Sequence, residues 1–182
     1  MTKLAKEVLN ENQFWAIIEN SDKGKNLERE LMKLSEAELF TFRFYWWDYF
    51  HAKSYNQALW AVAYTVLGGC SDDGFDYFRY WLVSRGREVF TSAMEDPDSL
   101  ADEFDKLTDD DYPMWEEICY VADRVYEKKF GKEIDDSDVE VDINEEDLVL
   151  PEIEFEWDED DEESIKKICP RTFDKWWDND RF

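Results

Sequence analysis

The clearest indication of the fold comes from residues 59–86, LWAVAYTVLGGCSDDGFDYFRYWLVSRG. Its apolar residues recur at helical spacing up to Leu67, which indicates a helix over residues 54–67. The Gly68-Gly69 pair suits a left-handed C-cap that ends this helix. A second helix runs from its N-cap at residue 71 to residue 84, because a serine side chain accepts a hydrogen bond from a free amide of the first turn. Two adjacent helices with wide apolar faces predict a helical core.

The chain on both sides of this stretch continues the helical pattern. Asn12 suits the N-cap of a preceding helix, and SEAE at residues 35–38 has the spacing of a capping box. We expect the helix that this box opens to reach about Ala52, through a run rich in Phe, Tyr and Trp. Further along the chain, a helix is predicted from Pro113 to Phe130. Residues 1–132 are therefore predicted to form one helical domain.

The pattern changes after Lys132. Around Val141, and again around Phe155, apolar and acidic residues alternate one by one, which is the period of a half-exposed strand. We expect residues 133–163 to form an acidic arm that adds a short β-hairpin or edge strands, or lies extended on the helical body. Residues 164–182 supply aromatic side chains for docking on that body. The predicted fold class is mainly α: a compact multi-helix domain with this appendage.

Charge is distributed unevenly along the chain, whose formal net charge is −26. Residues 1–95 hold 11 Lys/Arg and 14 Asp/Glu, whereas residues 96–182 hold 10 and 33. The acidic arm carries 18 acids and no base. Such a surface repels the phosphates of nucleic acids and of anionic lipids. Direct nucleic-acid binding is therefore the partner class that the sequence excludes first.

A basic protein is the expected partner, because opposite charge accelerates association. The candidate partner-binding residues are carboxylates of the second alternating segment and of the acidic run after it: Glu152, Glu154, Glu156, Asp158, Asp160 and Asp161. The sequence leaves the oligomeric state open.

The sequence predicts neither a metal site nor a cofactor. The three cysteines and the single histidine, His51, match no common zinc spacing. The acidic stretch lacks the glycine at position 6 and the glutamate at position 12 of a calcium loop. No glycine-rich phosphate-binding motif occurs. We interpret the cysteines as reduced thiols of a cytoplasmic protein, and no apolar window reaches the ~18 residues of a membrane span.

One cluster has residue types suited to catalysis; the candidates are Cys70, Asp72, Asp73, Asp76 and Arg79. Asp72 and Asp76 are four residues apart on one helix face, the geometry of a paired-carboxylate or cation site. A nucleophilic Cys70 needs a base, which only the one histidine offers. We favour the simpler interpretation, in which Asp72 and Asp73 complement the helix dipole and Asp76 pairs with Arg79.

Three segments carry a family resemblance: FWAIIE at residues 14–19, LWAVAYTVLGGCSDDGFDYFRYWLVSRGREVF at residues 59–90 and AMEDPDSLAD at residues 93–102. Over about residues 13–131 the chain resembles a bacterial family, the domain of unknown function 4240. The resemblance implies a compact, mainly helical cytoplasmic domain and supplies no catalytic residue. The acidic arm departs from the family's usual ending, whereas PRTFDKWW after it returns to the family pattern.

Three hypotheses from different classes follow. The first is a non-enzymatic acidic protein-binding module, an immunity-type or regulatory partner of a basic protein. The second is a nucleic-acid mimic that inhibits a DNA- or RNA-binding protein, because Glu152, Glu154 and Glu156 on one strand face would repeat every ~6.6 Å, close to phosphate spacing. The third is an enzyme of unknown reaction with its site at Cys70–Asp76. An acidic surface that only maintains solubility explains the charge equally well.

Overall fold

The chain is mainly helical, and the computed structural model describes residues 3–108, 111–143 and 149–179. The α-helices are α1 Ala5–Val8, α2 Glu11–Asn20, α3 Leu27–Leu31, α4 Glu36–Phe44, α5 Phe50–Lys53, α6 Gln57–Leu67, α7 Asp72–Ser84, α8 Arg87–Glu95, α9 Ala101–Phe104, α10 Glu116–Cys119, α11 Val121–Phe130, α12 Glu162–Ile168 and α13 Pro170–Trp176. Short helical turns of other types cover Tyr45–Tyr49, Pro97–Leu100 and Ile134–Asp136. This architecture confirms the predicted fold class.

Several helix ends are set by the local signals that the sequence carries. Ser71 Oγ accepts from the amide of Gly74 at 3.2 Å, which caps α7. Gly68 ends α6 in the left-handed conformation, with φ 67°. The prediction of an N-cap at Asn12 is wrong. Asn10 caps α2, because its side chain accepts from Gln13 at 3.1 Å while the Gln13 side chain accepts from the Asn10 amide.

The aromatic run forms the centre of the core. Helix α4 continues through a π-helical turn at Tyr45–Tyr49 into α5, so the predicted helix from residue 36 to about 52 is present with one widened turn. The ring of Phe14 stacks on Phe42 at 5.0 Å and on Phe50 at 4.8 Å. Buried aromatic rings of this size dominate the energetics of a core.

Two predicted helices start later than their sequence patterns suggested. The helix predicted from residue 54 begins at Gln57, because Asn56 Oδ1 accepts from the amide of Leu59 at 2.8 Å and caps it there. The segment predicted as one helix from residue 113 begins at 116 and is interrupted at Tyr120. The amide of Trp115 donates to the carbonyl of Tyr77 on α7 at 3.1 Å, so a tertiary hydrogen bond holds this residue outside the helix.

The acidic arm contributes one strand to a small sheet. Strand β1, Lys3–Leu4, pairs in parallel with β2, Val141–Asp142. The arm's strand therefore pairs with the N-terminal segment, and residues 149–157 contain no strand. That later segment lies against α6, where Gln57 bonds the amide of Glu156 and the indole of Trp157.

The C-terminal helices pack against α6 and the region around α9. Asp98 accepts hydrogen bonds from the amides of Arg171 and Thr172, each at 2.8 Å, and so caps the start of α13. The indole of Trp176 donates to the carbonyl of Ala101 at 3.3 Å. The division into segments ending at residues 132 and 163 stays a prediction. Within the described residues, no helix has the length and apolar character needed to cross a membrane.

Candidate functional site

Arg79 organises the cluster that the sequence singled out. Its side chain is 1% exposed, and Nη1 donates to the carbonyl of His51 at 2.6 Å. Nη2 bonds the carboxylate of Asp76 on the preceding turn of α7. The guanidinium lies over the rings of Tyr55 and Phe75, 4.9 Å and 4.7 Å from their centroids. A buried cation is thus compensated by one carboxylate, one carbonyl and two aromatic faces.

His51, which the sequence offered only as a base for Cys70, joins this cluster. Its Nε2 lies 3.2 Å from Asp76 Oδ1, and its ring stacks on Tyr80 with centroids 5.1 Å apart. Burial opposes the charge of Asp76, but the contact with His51 and the positive charge of Arg79 lower the pKa of that carboxyl overall. Asp76 is therefore the anion of the cluster.

Cys70 lies at the edge of the cluster as a neutral thiol. Burial, reinforced by the charges of Asp72 and Asp76 and only partly offset by Arg79, raises the pKa of the Cys70 thiol to about 12. Its carbonyl accepts from the indole of Trp60 at 3.0 Å. A nucleophilic cysteine needs a lowered pKa, so the surroundings of Cys70 disfavour that role.

The remaining two candidates stay apart from the cluster. Asp72 and Asp73 are exposed in the first turn of α7, where a carboxylate complements the helix dipole. Among the described residues, neither forms an ion pair with a lysine or arginine. The described part of the chain also contains no group of three or more Cys, His, Asp or Glu side chains arranged to hold a metal ion.

The second candidate surface is the outer arm, defined here as residues 149–163. Gln57 at the start of α6 holds it in place. Its side chain accepts from the amide of Glu156 at 3.0 Å and donates to the carboxylate of Glu156 at 3.1 Å. Its carbonyl accepts from the indole of Trp157, also at 3.0 Å.

Aromatic contacts reinforce this attachment. Phe155 meets Trp60 edge to face with centroids 5.4 Å apart, and Trp157 lies 5.4 Å from Tyr64. The chain then turns: the amide of Asp161 donates to the carbonyl of Asp158 at 3.0 Å. The outer arm is thereby fixed on α6 by its apolar side chains and its backbone.

The carboxylates of the outer arm face solvent. The six predicted partner-binding residues are exposed, and so are three further acids beside them; the full set is Glu152, Glu154, Glu156, Asp158, Glu159, Asp160, Asp161, Glu162 and Glu163. None of them forms an ion pair with a lysine or arginine among the described residues. The predicted partner-binding set is thus a contiguous anionic segment on a rigid support.

Gln57 was not predicted from the sequence, and His51 was considered only as a base for Cys70. Gln57 and His51 each act through tertiary contacts with segments distant in sequence. A lone histidine and a glutamine at a helix start carry no periodic signal. The sequence indicated the attachment of the outer arm only through the alternation of Phe155 and Trp157 with acids.

One of these two surfaces lies within the part of the chain that matches a protein family. A family described as "Protein of unknown function (DUF4240)" matches residues 9–128, more than half of the chain. The chain belongs to this family. No curated protein and no solved structure matches the chain. The Arg79 cluster lies inside the matched region, whereas the outer arm lies beyond it.

Proposed function

We propose that this member of the family is a non-enzymatic, cytoplasmic protein-binding module that holds a basic protein through the carboxylates of its outer arm. In this role it is an immunity-type or regulatory partner. The observation that carries the proposal is the combination of an anchored backbone with nine exposed carboxylates that have no basic neighbour among the described residues.

Anchoring lowers the cost of binding. A disordered acidic tail must be ordered when a partner docks, whereas a segment already held by Gln57 and Trp157 loses less conformational entropy. The uncompensated negative charge also attracts a cationic partner over distances near the Debye length. Both effects favour fast and selective association with a basic surface.

A role in solubility alone requires charge but no fixed geometry. The aromatic contacts of Phe155 and Trp157 with α6 add nothing to solubility, yet they hold the acids in place. We therefore favour recognition over solubility as the role of the outer arm.

The other two hypotheses have less support. A phosphate-like repeat on one strand face requires a strand, and residues 149–157 do not form one. The nucleic-acid mimic therefore lacks the paired strand that would fix its ~6.6 Å repeat. An enzyme using Cys70 requires a reactive thiolate, which the raised pKa of that thiol opposes. Both remain hypotheses.

The test is affinity capture from native extract with the full chain and with a variant neutralised in the outer arm. The variant carries E152Q, E154Q, E156Q, D158N, D160N and D161N, which keep the size of each side chain. We expect a basic protein to be retained by the wild type, not by the variant, and to be released at ~0.5 M salt, where the Debye length falls to a few ångströms. The retained protein is then purified and titrated against both chains. If both chains bind it equally, the proposal is wrong.

A further inference from the structure

A cleft with a volume of about 480 Å³ opens where α6, the acidic turn and the C-terminal helix meet. It is lined by Tyr64, Gly68, Glu159, Asp160, Glu162 and Trp177. Two aromatic rings and three carboxylates thus share one cavity, and the lining contains no lysine or arginine. The cleft lies at the end of the outer arm.

The aromatic walls of the cleft are fixed by contacts outside it. Phe173 stacks on Trp177 with centroids 4.7 Å apart and ring planes 16° from parallel. On the cleft side, Tyr64 and Trp177 are near-parallel at 23°, but their centroids are 6.4 Å apart. Trp157 packs against Tyr64 at 5.4 Å. Each ring is therefore held in place by a neighbour that lies closer to it than the other ring of the cleft does.

Negative charge reaches the ring of Tyr64. Burial raises the pKa of the Tyr64 phenol, and the carboxylates of Glu159 and Asp160 raise it further. A negative potential at an aromatic ring favours a cation near its face, since the ring quadrupole acts in the same direction. The cleft combines the two kinds of group that bind organic cations.

We infer that this cleft receives the guanidinium group of an arginine side chain presented by the basic partner. This inference rests on the proposed function and adds the site and the chemical group that it recognises. A guanidinium is planar, stacks on aromatic rings, and donates up to five hydrogen bonds to carboxylates. The three cleft acids do not converge as metal ligands within the described structure, so an extended organic cation fits better than a metal ion.

The first experiment probes the cleft without a protein partner. N-acetyl-L-arginine methylamide is titrated at low salt while the indole NH signals of the tryptophans are followed by NMR. The signal of Trp177 is assigned from its loss in Trp177→Phe. We expect this signal to move and saturate in the millimolar range, and N-acetyl-L-glutamine methylamide, which is neutral, to leave it in place. An unmoved Trp177 signal overturns the inference.

The second experiment separates the cleft from charge in general. A fluorescent peptide of alternating arginine and glycine is titrated against two variants that each lose two negative charges from the outer arm. E159Q/D160N alters the cleft, whereas E152Q/E154Q lies outside it. We expect the cleft pair to lose about fivefold more affinity than its charge-matched control, and Trp177→Leu to lose about fivefold with no change in charge. Thermal unfolding of each variant confirms that it is folded.

The outcomes distinguish the inference from the proposed function. Equal losses from the two charge-matched pairs, with an unmoved Trp177 signal, overturn the cleft and leave binding by the outer arm intact. If the wild type does not bind the peptide at low salt although the Trp177 signal responds to the blocked arginine, the proposed function fails and the cleft remains a cation site.

Discussion

The carboxylates that pack into the helical body and those of the outer arm have opposite surroundings. In the body, Asp98 accepts from two backbone amides and Asp76 binds a buried arginine. In the first part of the acidic arm, Asp135 pairs with Arg43. In the outer arm, residues 152–163 present every carboxylate to solvent, without a basic partner among the described residues.

The acids that make up the net charge of −26 therefore have different physical roles in different parts of the molecule. Carboxylates that replace lost hydration with hydrogen bonds stabilise the fold, whereas exposed unpaired ones repel each other and contribute little to it. Uncompensated charge on a fixed backbone is available to a partner. Substitutions in the two regions should therefore have different effects on stability.

Asp76→Asn should have the largest effect on stability. It leaves Arg79 with its charge buried and without its carboxylate, so we expect the free energy of unfolding at pH 7 to fall by about 3 kcal/mol in urea denaturation. Asp73→Asn, at an exposed position of the same helix, should change it by less than about 1 kcal/mol. Equal effects would contradict a structural role for Asp76.

The loss of stability in Asp76→Asn should depend on pH. Because the pKa of Asp76 is lowered below its ordinary value of 3.8, the stabilisation is complete above that value and is lost as the pH falls through the lower, folded-state pKa. The difference between the wild type and Asp76→Asn should therefore shrink as the pH falls below 3.8. A difference that stays constant down to pH 2 would argue against an ionised Asp76 as its source.

Asp98→Ala should destabilise the docking of α13. The substitution removes the acceptor for the amides of Arg171 and Thr172 at the start of that helix, and we expect a loss of about 2 kcal/mol. The matched control is Asp102→Ala, which removes exposed ion pairs with Arg171 and Lys175 and should cost about 0.5 kcal/mol.

Trp157→Ala should release the outer arm without unfolding the body. The indole loses its hydrogen bond to the carbonyl of Gln57 and its contact with Tyr64, which we expect to cost about 1.5 kcal/mol. The amide of Glu156 should exchange its hydrogen faster, since its bond to Gln57 depends on the same attachment. Val149→Ala, at a position 71% exposed, should leave both measurements unchanged.

Neutralising the outer arm should raise stability slightly. E152Q/E154Q removes two of the repelling charges, so we expect a gain of about 0.5 kcal/mol at low ionic strength and none at ~0.5 M salt. A loss of stability on this change would reveal a stabilising partner for these glutamates and would remove the contrast between the two regions.

The sequence predicted what depends on neighbours along the chain. The cap at Ser71 and the left-handed Gly68 follow from residue type and position, and the pair of Asp76 with Arg79 follows from their i, i+3 spacing. The start of α10 was missed, because the amide of Trp115 bonds a carbonyl on another helix. Such a bond has no local signal.

The helical class, the family and the location of the excess charge follow from the amino-acid sequence alone, because propensity, periodicity and composition are local or additive properties. Which carboxylates form hydrogen bonds inside the fold, and which are exposed to solvent, depends on the tertiary structure. Asp98 accepts from two amides and Glu154 is exposed because of the way in which distant segments pack. Burial changes the free energy of an ionised group more than its place in the sequence does.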